Sequence, residues 1–355
     1  MIQLSKNMIQ LTNRQKFILQ VIERLGKAAT KEIVKGVSDN FDQSSRITVI
    51  RDLNILLKSR SIRKIGNGRN VAYEALIPKL QRSFDLIEYF KKEPDKREVN
   101  IKKLDFKSKI DFENLFSKKE LLHIKNLTEI HSKRFKSYNR EQIKKELERI
   151  TIEFSWRSSH IEGNTYTLLD TERLMKSSQE AKGKTHEEAV MILNHKTALY
   201  YIWDKPKYFK TVSLKKIEEL HDMISKGLKI PKGLRRRPVG IIGTAYKPYD
   251  NIYQIREAVE ALCGLLNNLK NPFISSMIAV AALSYIQPFE DGNKRTSRML
   301  GNAILLANGY CPLSYRSVDE IEYKKAIILF YEQHSLTAFK KLFIEQYEFA
   351  VKNYF

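Results

Sequence analysis

Cysteine and tryptophan are scarce, with two of each in 355 residues. Cys263 and Cys311 form no ligand-spaced cluster, which excludes a disulfide framework and a cysteine-built zinc site. A reducing cytoplasm is the expected compartment. Long apolar runs are missing too. None approaches the roughly 20 residues that a membrane span needs, so no membrane partner is expected. Lys6 and Asn7 interrupt any apolar stretch near the start that could open a signal peptide. Acidic residues are also few: 41 Asp and Glu stand against 63 Lys and Arg, a formal charge of +22. Such an excess favours polyanionic partners, meaning nucleic acid, nucleotide phosphates or an acidic surface. Residues 1–79 hold fifteen Lys and Arg against six Asp and Glu, and a Lys-rich stretch runs from Lys91 to Lys119.

What is present is enough apolar residue, 42%, for two or three domains with cores of their own. Thr12 or Asn13 can cap a helix over Arg14–Leu25, with Phe17, Ile18, Val21, Ile22 and Leu25 on one face and Gly26 as its stop. Thr30 opens a short helix through Lys35 that buries Ile33 and Val34. After the loop Ser38–Gln43, Ser44 or Ser45 starts a third helix to about Ser59. Its core spacing is supplied by Ile47, Ile50, Leu53 and Leu57, with Val49 and Leu56 beside them. Two β-runs follow, Ser61–Ile65 and Asn70–Ala75, joined by the turn Gly66-Asn67-Gly68.

Three helices and a hairpin in this order resemble a DeoR-like winged helix-turn-helix, over residues 12–77. The resemblance implies that the third helix enters a DNA major groove and that the wing touches backbone. The matching residues are Ser44, Ser45, Arg46, Thr48 and Arg51 on the helix. Arg63, Lys64, Arg69 and Asn70 occupy the wing and suit phosphate contact. A homodimer reading paired half-sites fits such a module. A winged helix used only for packing or dimerisation is the alternative.

Beyond it, Leu80–Phe90 has helical spacing and Glu93-Pro94-Asp95 breaks it. Helical periodicity then dominates, at Leu121–Phe135, Arg140–Phe154, Thr167–Ala181, His186–Trp203 and Leu214–Ile224. The stretch Arg235–Asp250 departs from it. Pro238, Gly240, Gly243 and Pro248 punctuate β-prone residues there, which predicts a two-stranded flap. With Gly240, Ile241, Ile242 and Gly243 at its tip, such a flap could hold an extended peptide by strand addition, or be an ordinary connecting hairpin.

The chemistry concentrates at Ile286–Asn302. An apolar helix over Pro272–Ile286, capped by Asn271, must end before Pro288. A second helix runs Asn293–Asn308. The loop Gln287–Gly292 between them lies at a helix N-terminus, where exposed N–H groups and a glycine form an anion site. Arg295, Arg298 and Asn302 share one helix face above it, and Asp291 offers a carboxylate for Mg²⁺ bridging phosphates. Together these parts describe a triphosphate cradle.

The run Pro288-Phe289-Glu290-Asp291-Gly292-Asn293-Lys294-Arg295, followed by Arg298, closely resembles the signature of the Fic (Fido) family. The helix carrying Asn194-His195-Lys196, the flap and the Tyr323 helix are similar as well, over roughly residues 80–340. The resemblance implies a mainly α fold: a Fic-type helical domain with a small β-hairpin flap, joined to the N-terminal α+β winged helix. The expected limits are 1–78 for the winged helix, 79–130 for a connecting region, 131–340 for the Fic domain and 341–355 for a helical tail. The family resemblance implies AMP transfer from ATP to a Ser, Thr or Tyr hydroxyl of a protein, including the chain itself. Asp291 would then hold Mg²⁺, with Gly292, Asn293, Lys294, Arg295 and Arg298 on the phosphates. Phe289 would anchor the loop, Tyr323 would line the adenine pocket, and the flap would clamp the target.

Upstream, Ser158-Ser159-His160-Ile161-Glu162-Gly163 resembles the inhibitory Ser-xxx-Glu-Gly helix of one Fic class. By that resemblance Ser158, Glu162 and Gly163 restrain the site, with Glu162 pairing with Arg298 in the place of the γ-phosphate. Two positions depart from the family pattern. Gln287 stands where the signature begins with the general-base His, and a neutral amide has no proton-accepting nitrogen. Lys294 stands where AMP-transferring members often have Gly, and Lys there also occurs in the phosphate-transferring Doc branch. An impaired adenylyltransferase, an ATP-sensing DNA-binding regulator and a flap-based scaffold are the readings that follow.

Overall fold

Most of the described helices begin where the sequence supplies a side-chain cap. The computed structural model describes residues 11–355 apart from 26, 42–43, 60, 77–78, 101 and 108–111, and omits the side chains of 23, 24 and 69. The chain divides into two compact units between Arg82 and Ser83.

The first unit runs α1 (Asn13–Leu25), β1 (Ala28–Ala29), α2 (Thr30–Ser38), α3 (Arg46–Lys58), β2 (Ile62–Ile65) and β3 (Ala72–Ala75). The strands form an antiparallel sheet in the order β1-β3-β2, with Arg63 opposite Glu74 and Ala28 opposite Tyr73. Strand β1 is an addition to the sequence reading: two alanines are too short a run to show period-two alternation. Thr12 starts α1 by accepting from the Gln15 N–H. The expected stop, Gly26, lies outside the described residues. Ala29, not Thr30, precedes α2; Glu32 reaches back to the Ala29 N–H at 2.7 Å, and the helix runs three residues past Lys35.

In α3 Ser45 is the cap, and Val49, Leu53 and Leu56 enter a core with Ile18, Ile22, Ile33 and Val37. The expectation that Ile47 and Ile50 belong to this core is corrected. They are 65% and 38% exposed, because α3 carries apolar residues on two faces and periodicity alone does not choose between them.

The second unit contains α4 (Leu86–Phe90), α5 (Lys118–Ser137), α6 (Arg140–His160), α7 (Leu168–Ser177) and α8 (His186–Asp204). It continues with α9 (Leu214–Ser225), α10 (Ile252–Asn268), α11 (Pro272–Ile286), α12 (Asn293–Ala307), α13 (Glu320–Gln333) and α14 (Thr337–Asn353). Four starts are reciprocal capping boxes, at Ser117/Glu120, Asn139/Gln142, Thr167/Asp170 and Thr185/Glu188. The single helix expected over Leu80–Phe90 is shorter, because Asp85 caps it midway by accepting from the Ile87 and Glu88 N–H groups.

Helix α11 is the axle of the unit, buried from Phe273 through Ile286. It is apolar on every side, as a helix enclosed by others must be. Helix α12 crosses it closely at Gly301, where a Cβ would meet Val280 Cγ2 at 2.6 Å. Ser276 Oγ seals the crossing by donating to the Gly301 carbonyl at 2.8 Å. Among the described residues no helix is long and apolar enough to cross a membrane.

The expected strand pair at Arg235–Asp250 is not formed. The segment is extended, with one turn at Ile242–Gly243, and carries no ladder. Pro238 and Pro248 remove donors, and the backbone is held by side chains instead. The Arg235 guanidinium donates to the carbonyls of Gln287 and Arg237 and to that of Tyr249. Arg97 donates to Gly243 O and pairs with buried Glu332 at 3.0 Å, which also accepts from Thr244 Oγ1 and Tyr89.

Candidate active site

The end of α11 and the start of α12 generate the site through two left-handed residues. Gln287 closes α11 at φ 52°, and Pro288 prevents continuation. Gly292 opens α12 at φ 77°, a conformation that favours glycine. Between them Phe289 is fully buried. Asn293 staples the loop: the Phe289 N–H donates to its Oδ1, and its Nδ2 donates to the Phe289 carbonyl, both at 2.8 Å. Any contact of Asn293 with an anion therefore comes from its backbone N–H, one of the first-turn donors that the helix leaves unused.

Three cations stand over this helix start. Arg298 is fully buried. Its Nη1 donates to Glu162 Oε1 at 2.9 Å, its Nε to Ser158 Oγ at 2.9 Å and its Nη2 to the Ser158 carbonyl at 2.8 Å. Lys294 reaches the other Glu162 oxygen at 3.3 Å. Arg295 bridges to Asp291 at 3.0 Å, and its buried Nη1 has no hydrogen-bond partner among the described residues. Burial opposes ionisation of Glu162, but the charges of Arg298 and Lys294 outweigh it and hold the carboxyl below its usual range. Burial lowers the Arg295 pKa, and Asp291 and Glu162 counter it.

Glu162 is delivered by the turn after α6, where its N–H donates to Ser159 O and Gly163 takes φ 96°. So Ser158 and Glu162 of one segment meet Lys294 and Arg298 of α12, more than 130 residues on. Asp291 is at the rim, with 70% of its side chain exposed. An exposed carboxylate beside an unpartnered guanidinium nitrogen suits a phosphate with its divalent cation. Among the described residues no three His, Cys, Asp or Glu side chains cluster to hold a metal, so Asp291 would hold Mg²⁺ with phosphate and water supplying the other ligands.

Other expected residues take different places. Asn302 is spent on the backbone of Leu313, which it both donates to and accepts from. Tyr323 is buried behind Arg298, whose guanidinium carbon lies 5.8 Å from its ring centre. Gln287 points its amide nitrogen at Ser284 O, 2.6 Å away. His195 is fully buried; Nδ1 donates to Met191 O at 2.8 Å, and Ser158 Oγ donates to Nε2 at 2.9 Å. Burial pushes its pKa down to about 3. His160 is held to Asn164 O. Ile242 at the flap tip is 98% exposed. In the first unit Arg46, Arg51 and Lys64 are exposed, Arg63 is paired with Glu74, and the Arg69 side chain lies outside the described part.

Sequence reasoning missed His221, which stacks on Phe289 with ring centres 3.7 Å apart. The available signal was a histidine on the buried stripe Ile217, Leu220, Ile224 of α9. It also missed Arg235, whose guanidinium holds the flap backbone through the carbonyls of Gln287, Arg237 and Tyr249.

A helical unit with a helix start set among three cations, closed by a carboxylate from the turn after α6, is the class that fold and site define. Residues 211–305 match the model of the Fic/DOC family. Among curated proteins it is 28% identical over 190 residues to "Protein adenylyltransferase Fic" of Nematostella vectensis, covering 51% of this chain and 43% of that protein. It is 32% identical over 161 residues to the protein of the same name from Drosophila grimshawi, covering 44% and 33%. The match therefore spans less than half the length of these relatives. Among solved structures, Fic-1 from C. elegans aligns at TM-score 0.58 and 18% identity, over 66% of this chain and 71% of that one. A Fic domain containing signaling protein from Bacteroides thetaiotaomicron aligns at 0.54 and 20%, over 64% and 95%. These two likenesses are of fold.

Proposed function

We propose that the second unit is a protein adenylyltransferase, restrained by Glu162 and impaired because Gln287 occupies the position of the general base. The observation that carries this reading is the buried Arg298 paired with Glu162 above the start of α12, beside an Arg295 nitrogen that lacks a partner among the described residues. A carboxylate oxygen there takes the place that a terminal phosphate oxygen would take. With Glu162 in place, ATP binds with its phosphates displaced from the productive position. The relatives named adenylyltransferase support the reaction class.

In the reaction a target hydroxyl oxygen attacks the α-phosphorus. The bond from that phosphorus to the oxygen bridging toward the β-phosphate breaks, pyrophosphate leaves, and the hydroxyl proton must go to a base. Mg²⁺ held at Asp291 would supply charge neutralisation on the phosphates. The chain's own residues do the rest: Arg295, Lys294 and the first-turn N–H groups orient the anion, and the flap presents the target. Gln287 accepts no proton at nitrogen, which lowers the rate by a factor of about 10²–10⁴. Transfer of label from α-labelled ATP, weak in this chain and restored by Gln287→His, is the test.

A second reading rests on the first unit. Its α3 presents Arg46, Ile47, Ile50 and Arg51 outward beside the β2–β3 hairpin. A winged helix that binds DNA, joined to a Fic domain that senses ATP, makes the chain a DNA-binding regulator. ATP binding without transfer, together with duplex binding, favours it.

A further inference from the structure

His221, on α9, lies against the loop that opens α12. Its ring is parallel to Phe289 within 10°, at 3.7 Å. Its Nε2 is 3.0 Å from the Asp291 carbonyl, and a Cβ on Gly292 would meet Cδ2 and Nε2 at 3.5 Å. A carbonyl only accepts, so Nε2 carries the proton. The other nitrogen, Nδ1, is buried without a partner among the described residues. That is tolerable for a lone pair and costly for a second N–H, so the ring is neutral. Burial of the imidazole acts in the same direction.

We propose that His221 is a positioning residue for the phosphate and cation site, an inference that rests on reading this loop as the site for ATP and Mg²⁺. The residue touches neither ligand. Its N–H fixes the one carbonyl whose rotation would swing the Asp291 side chain and the Gly292 N–H. Its ring holds Phe289 flat, so the loop cannot tilt. The carboxylate that would meet the cation is thus aimed from α9, an element outside the signature. Asn293 sets the loop's inner end in the same way, through Phe289.

Two substitutions separate positioning from packing. His221→Phe keeps the stacked ring and removes the donor. His221→Gln keeps an N–H at the Nε2 position and removes the ring. Binding of ATP to the full chain is measured by calorimetry, with MgCl₂ and with EDTA, beside thermal melting of each variant. In MgCl₂ the Phe variant should bind about 10-fold more weakly, the scale of one lost hydrogen bond, while melting near the parent. The Gln variant should melt lower and keep affinity within about 3-fold. In EDTA the loss in the Phe variant should shrink, because the Asp291–cation contact no longer counts. Affinity that follows melting temperature, or a Phe variant that binds like the parent, overturns the inference. A parent chain that binds no ATP under either condition overturns the nucleotide reading, and the inference with it.

Discussion

Arg298 and Glu162, 136 residues apart, meet through Nη1 and Oε1 at 2.9 Å, and the guanidinium is held from behind by both the hydroxyl and the carbonyl of Ser158. Arg298 is thus fixed whether or not Glu162 is present. Glu162→Gly leaves a buried cation without its counter-charge, a cost of about 3 kcal/mol or more. The variant should melt below the parent without ligand and regain much of the difference with MgATP, since binding at 100 times Kd contributes about 2.7 kcal/mol. A variant that melts like the parent and responds to MgATP no more than the parent does would show that the pair does not control the site.

His195 gives the fold a pH signature. Its pKa falls from 6.5 to about 3, so the unfolded chain binds the proton first as pH drops. Stability attributable to this ring is complete above about pH 6.5 and is lost progressively toward pH 3. Urea unfolding from pH 7 to 4 should show this slope in the parent and a flatter one in His195→Gln. Equal slopes in the two proteins would place the titration elsewhere.

The flap is expected to answer to Arg97. Arg97→Met strands the Glu332 carboxylate, which is fully buried with only the hydroxyls of Tyr89 and Thr244 beside it. The cost should be about 3–5 kcal/mol, or roughly 10 °C in melting temperature for a unit of this size. Arg97→Met with Glu332→Leu should recover much of it. Hydrogen exchange at Tyr246, whose N–H donates to Thr244 Oγ1, should quicken in the single variant. Unchanged exchange would mean that the flap is held without Arg97.

For the first unit, Arg46→Ala and Arg51→Ala should each weaken duplex DNA binding and reduce the salt slope by about one. Arg63→Ala should matter less, because Glu74 already holds that guanidinium. Binding indifferent to Arg46 and Arg51 would move the recognition surface off α3.

How far the sequence could be read follows from where each signal resides. Helix α11 was legible to the residue, since Asn271-Pro272 and Pro288 mark both ends of an apolar run. The meeting of Glu162 and Arg298 was legible through the resemblance of two motifs, not through spacing. Three features were not legible. Strand β1 is two alanines. The unpaired flap depends on Arg235 reaching carbonyls up to 52 residues away. His221 looks like any histidine on a core stripe until the fold lays it on Phe289. Local patterns encode local structure, whereas these depend on contacts that only the tertiary fold brings together.

The most direct measurement is transfer of label from α-labelled ATP with Mg²⁺, comparing the parent chain, Gln287→His, Glu162→Gly and the double variant. The account expects little label on protein from the parent or from Glu162→Gly, more from Gln287→His, and most from the double variant, by about 10²–10⁴ over Glu162→Gly. Rapid labelling by Glu162→Gly alone would contradict it, because some residue other than position 287 would then be taking the proton.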